Sequence, residues 1–193
     1  MKKLIYGVGY NSQKLQVRFG NKTHPYYETW RGVLRRCYDE AAKLRNPTYI
    51  NATVEEYLWD YSNFYNWVDN LEYREEGWQL DKDLLIKGNK HYSRDTCVFL
   101  PQNINKLLTK RQAKRGDLPI GVHYNKRDNL YQVSCNDIDG RLWHSYCKSV
   151  DEAFVRYKEK KESVIKYWAE QYKGRIDPRA YDAMLSYVVE IND

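Results

Sequence analysis

Lys106-Leu-Leu-Thr-Lys110-Arg111-Gln-Ala-Lys114-Arg115-Gly116-Asp117 packs five cations into ten residues, 106–115. Such clustering matches a polyanion, most simply the phosphate chain of nucleic acid. A solvated linker with basic decoration accounts for the same stretch equally well. A second set of chemically useful residues follows, on alternating positions of three short segments: His123, Asn125, Arg127, Gln132, Ser134, Asn136, Arg141 and Trp143. Asn, Gln and Arg are the side chains that hydrogen-bond base edges, and a sheet face of this width fits a major groove. The ordinary outer side of an antiparallel sheet is also polar. Cys37, Cys97, Cys135 and Cys147 are widely spaced with no CxxC pair, so they read as reduced thiols and predict no zinc site. His24 and His144 read as ordinary polar histidines.

The elements that must hold these residues are legible from period and punctuation. Residues 26–45 predict a helix, because Trp30, Val33, Leu34, Cys37, Tyr38, Ala41 and Leu44 recur at three- and four-residue steps. Asn46-Pro47 ends it. Thr53 with Glu56 predicts a capping box, followed by a helix with a ring-rich face from Val54 to Val68. Residues 79–86 and 96–100 predict two strands about a Gly88-Asn89 turn, and Pro101 opens a short helix carrying Ile104, Leu107 and Leu108. After the basic stretch, residues 120–125, 130–136 and 141–147 alternate as strands. The turn at 137–140 ends in Asp139-Gly140. On these strands Val122, Tyr124, Tyr131, Val133, Cys135, Leu142 and Tyr146 are assigned to the inner face. Ser149 with Glu152 caps a long helix to about Tyr172, and a last helix starts at Pro178.

Composition narrows the class. The 193 residues carry 32 Lys+Arg against 26 Asp+Glu, for a formal charge of +6, and 42% are hydrophobic. That excludes a fully disordered or collagen-like chain. Residues 81–117 hold 9 basic and 4 acidic residues, so nearly all the excess charge sits there. No apolar run approaches the ~20 residues of a membrane span, and residues 1–7 show no secretory pattern. The expected location is intracellular.

Two resemblances add to this reading. Ile120-Gly121-Val122-His123-Tyr124, Leu130-Tyr131-Gln132-Val133, Gly140-Arg141-Leu142-Trp143 and Ser149-Val-Asp-Glu152-Ala153-Phe-Val-Arg-Tyr157 resemble the AP-two, or ethylene-response-factor, DNA-binding domain over residues 119–172. The resemblance implies that outer-face side chains contact DNA, at His123, Asn125, Arg127, Ser134, Asn136, Arg141 and Trp143. Several family arginines are replaced here by His123, Asn125 and Asn136. Base specificity therefore does not carry over.

Leu80-Asp81-Lys82-Asp83, Gly88-Asn89-Lys90, Cys97-Val98-Phe99 and Asn103-Ile104-Asn105 resemble the second half of phage-type HNH homing endonucleases, whose fold is a ββα-metal finger. Tyr27-Glu-Thr-Trp30-Arg31 through Tyr38 is similar to a helix found in phage and prophage proteins of that kind. The resemblance implies a catalytic set of Asp81, Lys82 and His91. It also implies a Mg2+ or other divalent-metal set of Asp81, Asp83, Asn103 and Asn105. Lys82 stands where the family places its general-base His. A lysine near its usual pKa of ~10.4 is a poor base at neutral pH, but it suits a phosphate. The finger is therefore expected to be degenerate, with His91 as a substitute base if it cuts.

The expected fold is α+β. It comprises a helical part with the ββα region over 1–110, a basic linker at 111–117, and a three-stranded antiparallel sheet on a long helix over 118–193. The expected function is double-stranded DNA binding, with Lys106, Lys110, Arg111, Lys114 and Arg115 supplying salt-sensitive affinity. The alternatives are an active HNH-type endonuclease and a phage protein that meets a host protein through its ring-rich helices. In either case a phage-encoded chain would act in the host cytoplasm.

Overall fold

A computed structural model describes residues 4–109, 117–191 and 193. The class is mixed α+β, and the chain divides into two compact units, Met1–Leu100 and Pro101–Asp193. Sequence alone puts that boundary near residue 110.

In the first unit an antiparallel hairpin, β1 (Arg18–Phe19) with β2 (Lys22–Thr23), leads into α1 (Pro25–Tyr38). Pro25 takes the first helical position, and the His24 ring accepts from the Tyr26 N–H. The three- and four-residue spacing buries Trp30, Val33, Leu34 and Cys37. The single helix expected over 26–45 is two. The Asp39 N–H closes α1 on the Arg35 carbonyl, while the Asp39 carboxylate caps α2 (Glu40–Arg45) through the Ala42 N–H.

The capping box expected at Thr53 does not form. Thr53 N–H donates to the Lys90 carbonyl and Glu55 N–H to the Tyr92 carbonyl, which makes β3 (Thr53–Val54) a parallel partner of a later strand at His91–Tyr92. The helix starts later, as α3 (Tyr61–Asp69), with Asp60 as its cap. Strand β4 (Gln79–Asp81) precedes β5 (His91–Tyr92) and pairs antiparallel with β6 (Val98–Leu100). Both of the expected strands here are shorter than the pattern suggests. Trp30, Leu34, Tyr61, Phe64 and Val68 fill the core, and the Trp30 indole donates to the Leu58 carbonyl at 2.8 Å. Thus Trp30, Tyr61 and Phe64, central to the ring-rich helices, are packing groups buried in this core.

The second unit opens with α4 (Gln102–Leu108). Strands β7 (Val122–Asn125), β8 (Leu130–Asn136) and β9 (Leu142–Cys147) form an antiparallel meander in that order. The long helix α5 (Val150–Gln171) is capped by Ser149, whose hydroxyl accepts from Glu152 N–H at 3.2 Å. Its Ala153 and Tyr157 pack on Val122, Val133, Cys135 and Cys147 of the sheet. Gly121, in the Gly-Val pair that opens the sheet, has φ +74°, and a Cβ there would stand 2.0 Å from the Tyr157 ring. Only glycine allows both that backbone and that approach. Helix α6 (Pro178–Leu185), capped by Asp177, completes the unit. Among the described residues, no helix is long and apolar enough to cross a membrane.

Candidate nucleic-acid interface

Strand pairing decides which side chains leave the sheet. Tyr131, Val133 and Cys135 of β8 stand opposite Cys147, Ser145 and Trp143 of β9. That row faces α5, so Trp143 lies half-buried against the inner core with the Lys160 ammonium 5.7 Å from its ring centroid. The sequence assignment of β9 is therefore one residue out of phase. Trp143 is corrected to an inner residue, while Leu142 and Tyr146 are outer residues, 54% and 50% exposed. Both alternating sets of Leu-Trp-His-Ser-Tyr-Cys contain an apolar group, so the pattern alone does not choose a phase. The pairing of Asn136 with Leu142 chooses it, through a loop closed by Asp137 N–H on the Arg141 carbonyl at 2.7 Å.

The outer face then reads His123, Gln132 and Tyr146 across one row, and Ser134 and His144 across the next, with Asn136 at the end. The Gln132 amide nitrogen lies 3.0 Å from His144 Nδ1. The sequence reading left His144 out of the site. Its cue is that it alternates with Leu142 and Tyr146, once the phase is known. Asn125 is half-buried and corrected to a turn-former. Its Oδ1 accepts from the Arg127 and Asp128 N–H groups, and its Nδ2 donates to Asp128 at 2.8 Å.

Arg127 and Arg141 sit in the β7–β8 and β8–β9 turns, at opposite ends of the meander. Their side chains are 92% and 89% exposed, with long ion pairs to Asp128 at 3.4 Å and Asp139 at 3.6 Å. Exposed pairs of this kind hold weakly. Lys106 is exposed on α4, in the same unit. Lys110, Arg111, Lys114 and Arg115 lie outside the described residues.

The first unit treats its expected catalytic residues differently. Lys82 is 7% exposed, and all three of its ammonium protons have acceptors: both Asp83 oxygens at 2.7 Å and the Asn89 carbonyl at 2.5 Å. The Tyr92 ring lies 5.8 Å away. Lys82 thus fastens the loop, with its ammonium taken up by Asp83 and Asn89. The Asn89 amide ties the loop further, donating to the Lys82 and His91 carbonyls. Asp81 Oδ1 accepts from the Asp83 and Leu84 N–H groups. Burial nevertheless raises its pKa from the ordinary aspartate value, against those two hydrogen bonds. His91 is exposed, with Nδ1 2.8 Å from the Thr53 hydroxyl.

The divalent-metal set does not fit this arrangement. Both Asp83 oxygens already hold a cation, the Lys82 ammonium, and Asp81 caps a turn. Among the described residues, no three His, Cys, Asp or Glu side chains gather as a metal would need. The four cysteines are buried, and burial pushes Cys37 up to about 11 and Cys97 up to about 12. Compared with known protein families, curated proteins and solved structures, the chain matches none.

Proposed function

We propose that the chain binds double-stranded DNA through the outer face of the β7–β8–β9 sheet, in the manner of the AP-two domain it resembles. The observation that carries the reading is a hydrogen-bonding row flanked by two nearly free guanidiniums. His123, Gln132, Ser134, Asn136 and His144 supply donors and acceptors, with Arg127 beyond one end and Arg141 beyond the other. At ~3.4 Å per residue, the strand between those turns spans roughly 24 Å. That exceeds the ~12 Å width of a major groove, so side chains in the middle would meet base edges while each arginine reaches a flanking phosphate chain. The order of three strands followed by a helix that covers the inner face supports the AP-two comparison. Lys106 and the cations at 110–115 add a phosphate-directed component.

Residues 79–108 are read as keeping the strand–strand–helix order of an HNH finger without its chemistry. Fluorescence anisotropy with a mixed-sequence duplex tests the binding reading: sub-micromolar affinity at low salt that falls steeply with added salt supports it, and salt-independent or absent binding sinks it. Supercoiled plasmid incubated with Mg2+ or Mn2+ is expected to stay intact. Nicking that Asp81→Ala or His91→Ala abolishes would replace this reading with the endonuclease.

A further inference from the structure

The first unit holds a cleft of about 510 Å3 that the DNA reading does not use. Tyr26, Tyr65, Trp78 and Phe99 contribute ring walls, and Glu28, Asp69 and Glu76 contribute carboxylates. A cation is already seated on this wall. The Arg74 guanidinium lies 4.3 Å from the Tyr26 ring centroid and 5.7 Å from that of Phe99, and it donates to the Tyr26 hydroxyl at 2.8 Å. That hydroxyl in turn donates to Asp69 at 3.4 Å. Aromatic faces attract cations through their quadrupole, and more strongly where water is thinned. Three carboxylates and one guanidinium line the cleft, so it keeps an excess of negative charge with Arg74 in place.

We propose that this cleft binds an alkylguanidinium ligand, seated beside Arg74 against the ring wall and held by Glu28, Asp69 and Glu76. Arg74 itself shows that a guanidinium is sterically and chemically accepted there. The same carboxylates repel phosphate, which argues against a nucleotide or a strand of DNA as the occupant. The ring wall gives a planar, weakly hydrated guanidinium an advantage over a compact, strongly hydrated ammonium.

The test is isothermal titration calorimetry on the full chain without DNA, using acetyl-arginine-amide and its neutral isostere acetyl-citrulline-amide. The arginine compound should bind at least about tenfold tighter. Glu28→Gln combined with Asp69→Asn should weaken it about fivefold or more, and Arg74→Gln should strengthen it by a similar factor, because a competing charge leaves. Circular dichroism melts check that each variant is folded, and Thr29→Ser serves as a mild cleft control. A tripeptide with a central arginine, run in parallel, separates the sources: a large further gain indicates a polypeptide arginine, and no gain a free small molecule. Equal binding of arginine and citrulline compounds, no binding of either, or indifference to the carboxylate changes overturns the proposal. None of these outcomes bears on DNA binding, which is measured separately.

Discussion

Replacing Arg127 and Arg141 together by Gln isolates the electrostatic part of the proposed interface. Both side chains are almost fully exposed, and their ion pairs to Asp128 and Asp139 are 3.4 and 3.6 Å long, so the fold should hardly notice the change. Each phosphate contact on B-DNA contributes a slope of about 0.9 to log K against log salt. Losing two should flatten that slope by about 1.8. At ~0.15 M salt each contact corresponds to about fivefold in affinity, and both to about thirtyfold; at ~0.05 M the pair corresponds to about two-hundredfold. Fluorescence anisotropy over a series of salt concentrations reads both quantities on one labelled duplex. A charge-matched control, Lys166→Gln with Lys173→Gln, removes exposed cations in and just past α5, which covers the opposite face of the sheet. The double arginine variant should lose slope while the control keeps it. Identical slopes for wild type and the arginine variant, or equal losses in the two variants, would refute the reasoning and move the interface elsewhere.

Gly121→Ala should destabilise the second unit by about 3 kcal/mol or more in denaturant melts, because φ +74° and a Cβ 2.0 Å from Tyr157 combine backbone strain with overpacking. Tyr61→Phe should be neutral or stabilise by about 1 kcal/mol, since the buried Tyr61 hydroxyl has no hydrogen-bond partner among the described residues. A marked loss of stability would mean that a partner was missed. Asp60 is 5% exposed. Its burial favours the neutral form, but hydrogen bonds from Ser12 and Ser62 outweigh this and lower its pKa. The stability it contributes is therefore present above the unfolded carboxylate value of ~3.9 and is lost as pH falls through the lower folded value. Asp60→Asn should weaken that acid-side decline in thermal melts, and an unchanged pH profile would contradict the assignment.

The amphipathic elements were readable because their period matched their burial. The spacing from Trp30 to Cys37, the Ser149 cap and the alternation of Leu130–Asn136 all led to the right element. Thr53 misled because a local cap competes with a partner 38 residues away: the Lys90 carbonyl and His91 claim the same backbone in a parallel bridge, and no local pattern records that. The phase of β9 was hidden because Trp143 and Tyr146 are both rings that suit either face, and only pairing with β8 separates them. Lys82 looked like a phosphate ligand because its type suits one. Its burial against Asp83 and Asn89 depends on how the loop closes seven residues later. The exposure of Arg127 was legible from its turn, whereas Arg141, read as the first residue of a strand, precedes β9 in the turn, where its side chain is 89% exposed.

The most direct measurement is an amide and side-chain NMR titration of the full chain with a short mixed-sequence duplex. The account predicts that the largest shifts fall on His123, Gln132, Ser134, Asn136, His144 and Tyr146, with the Arg127 and Arg141 guanidinium signals moving alongside them. Shifts concentrated on the exposed side of α5 or in the first unit, with the outer strand residues unmoved, would contradict it.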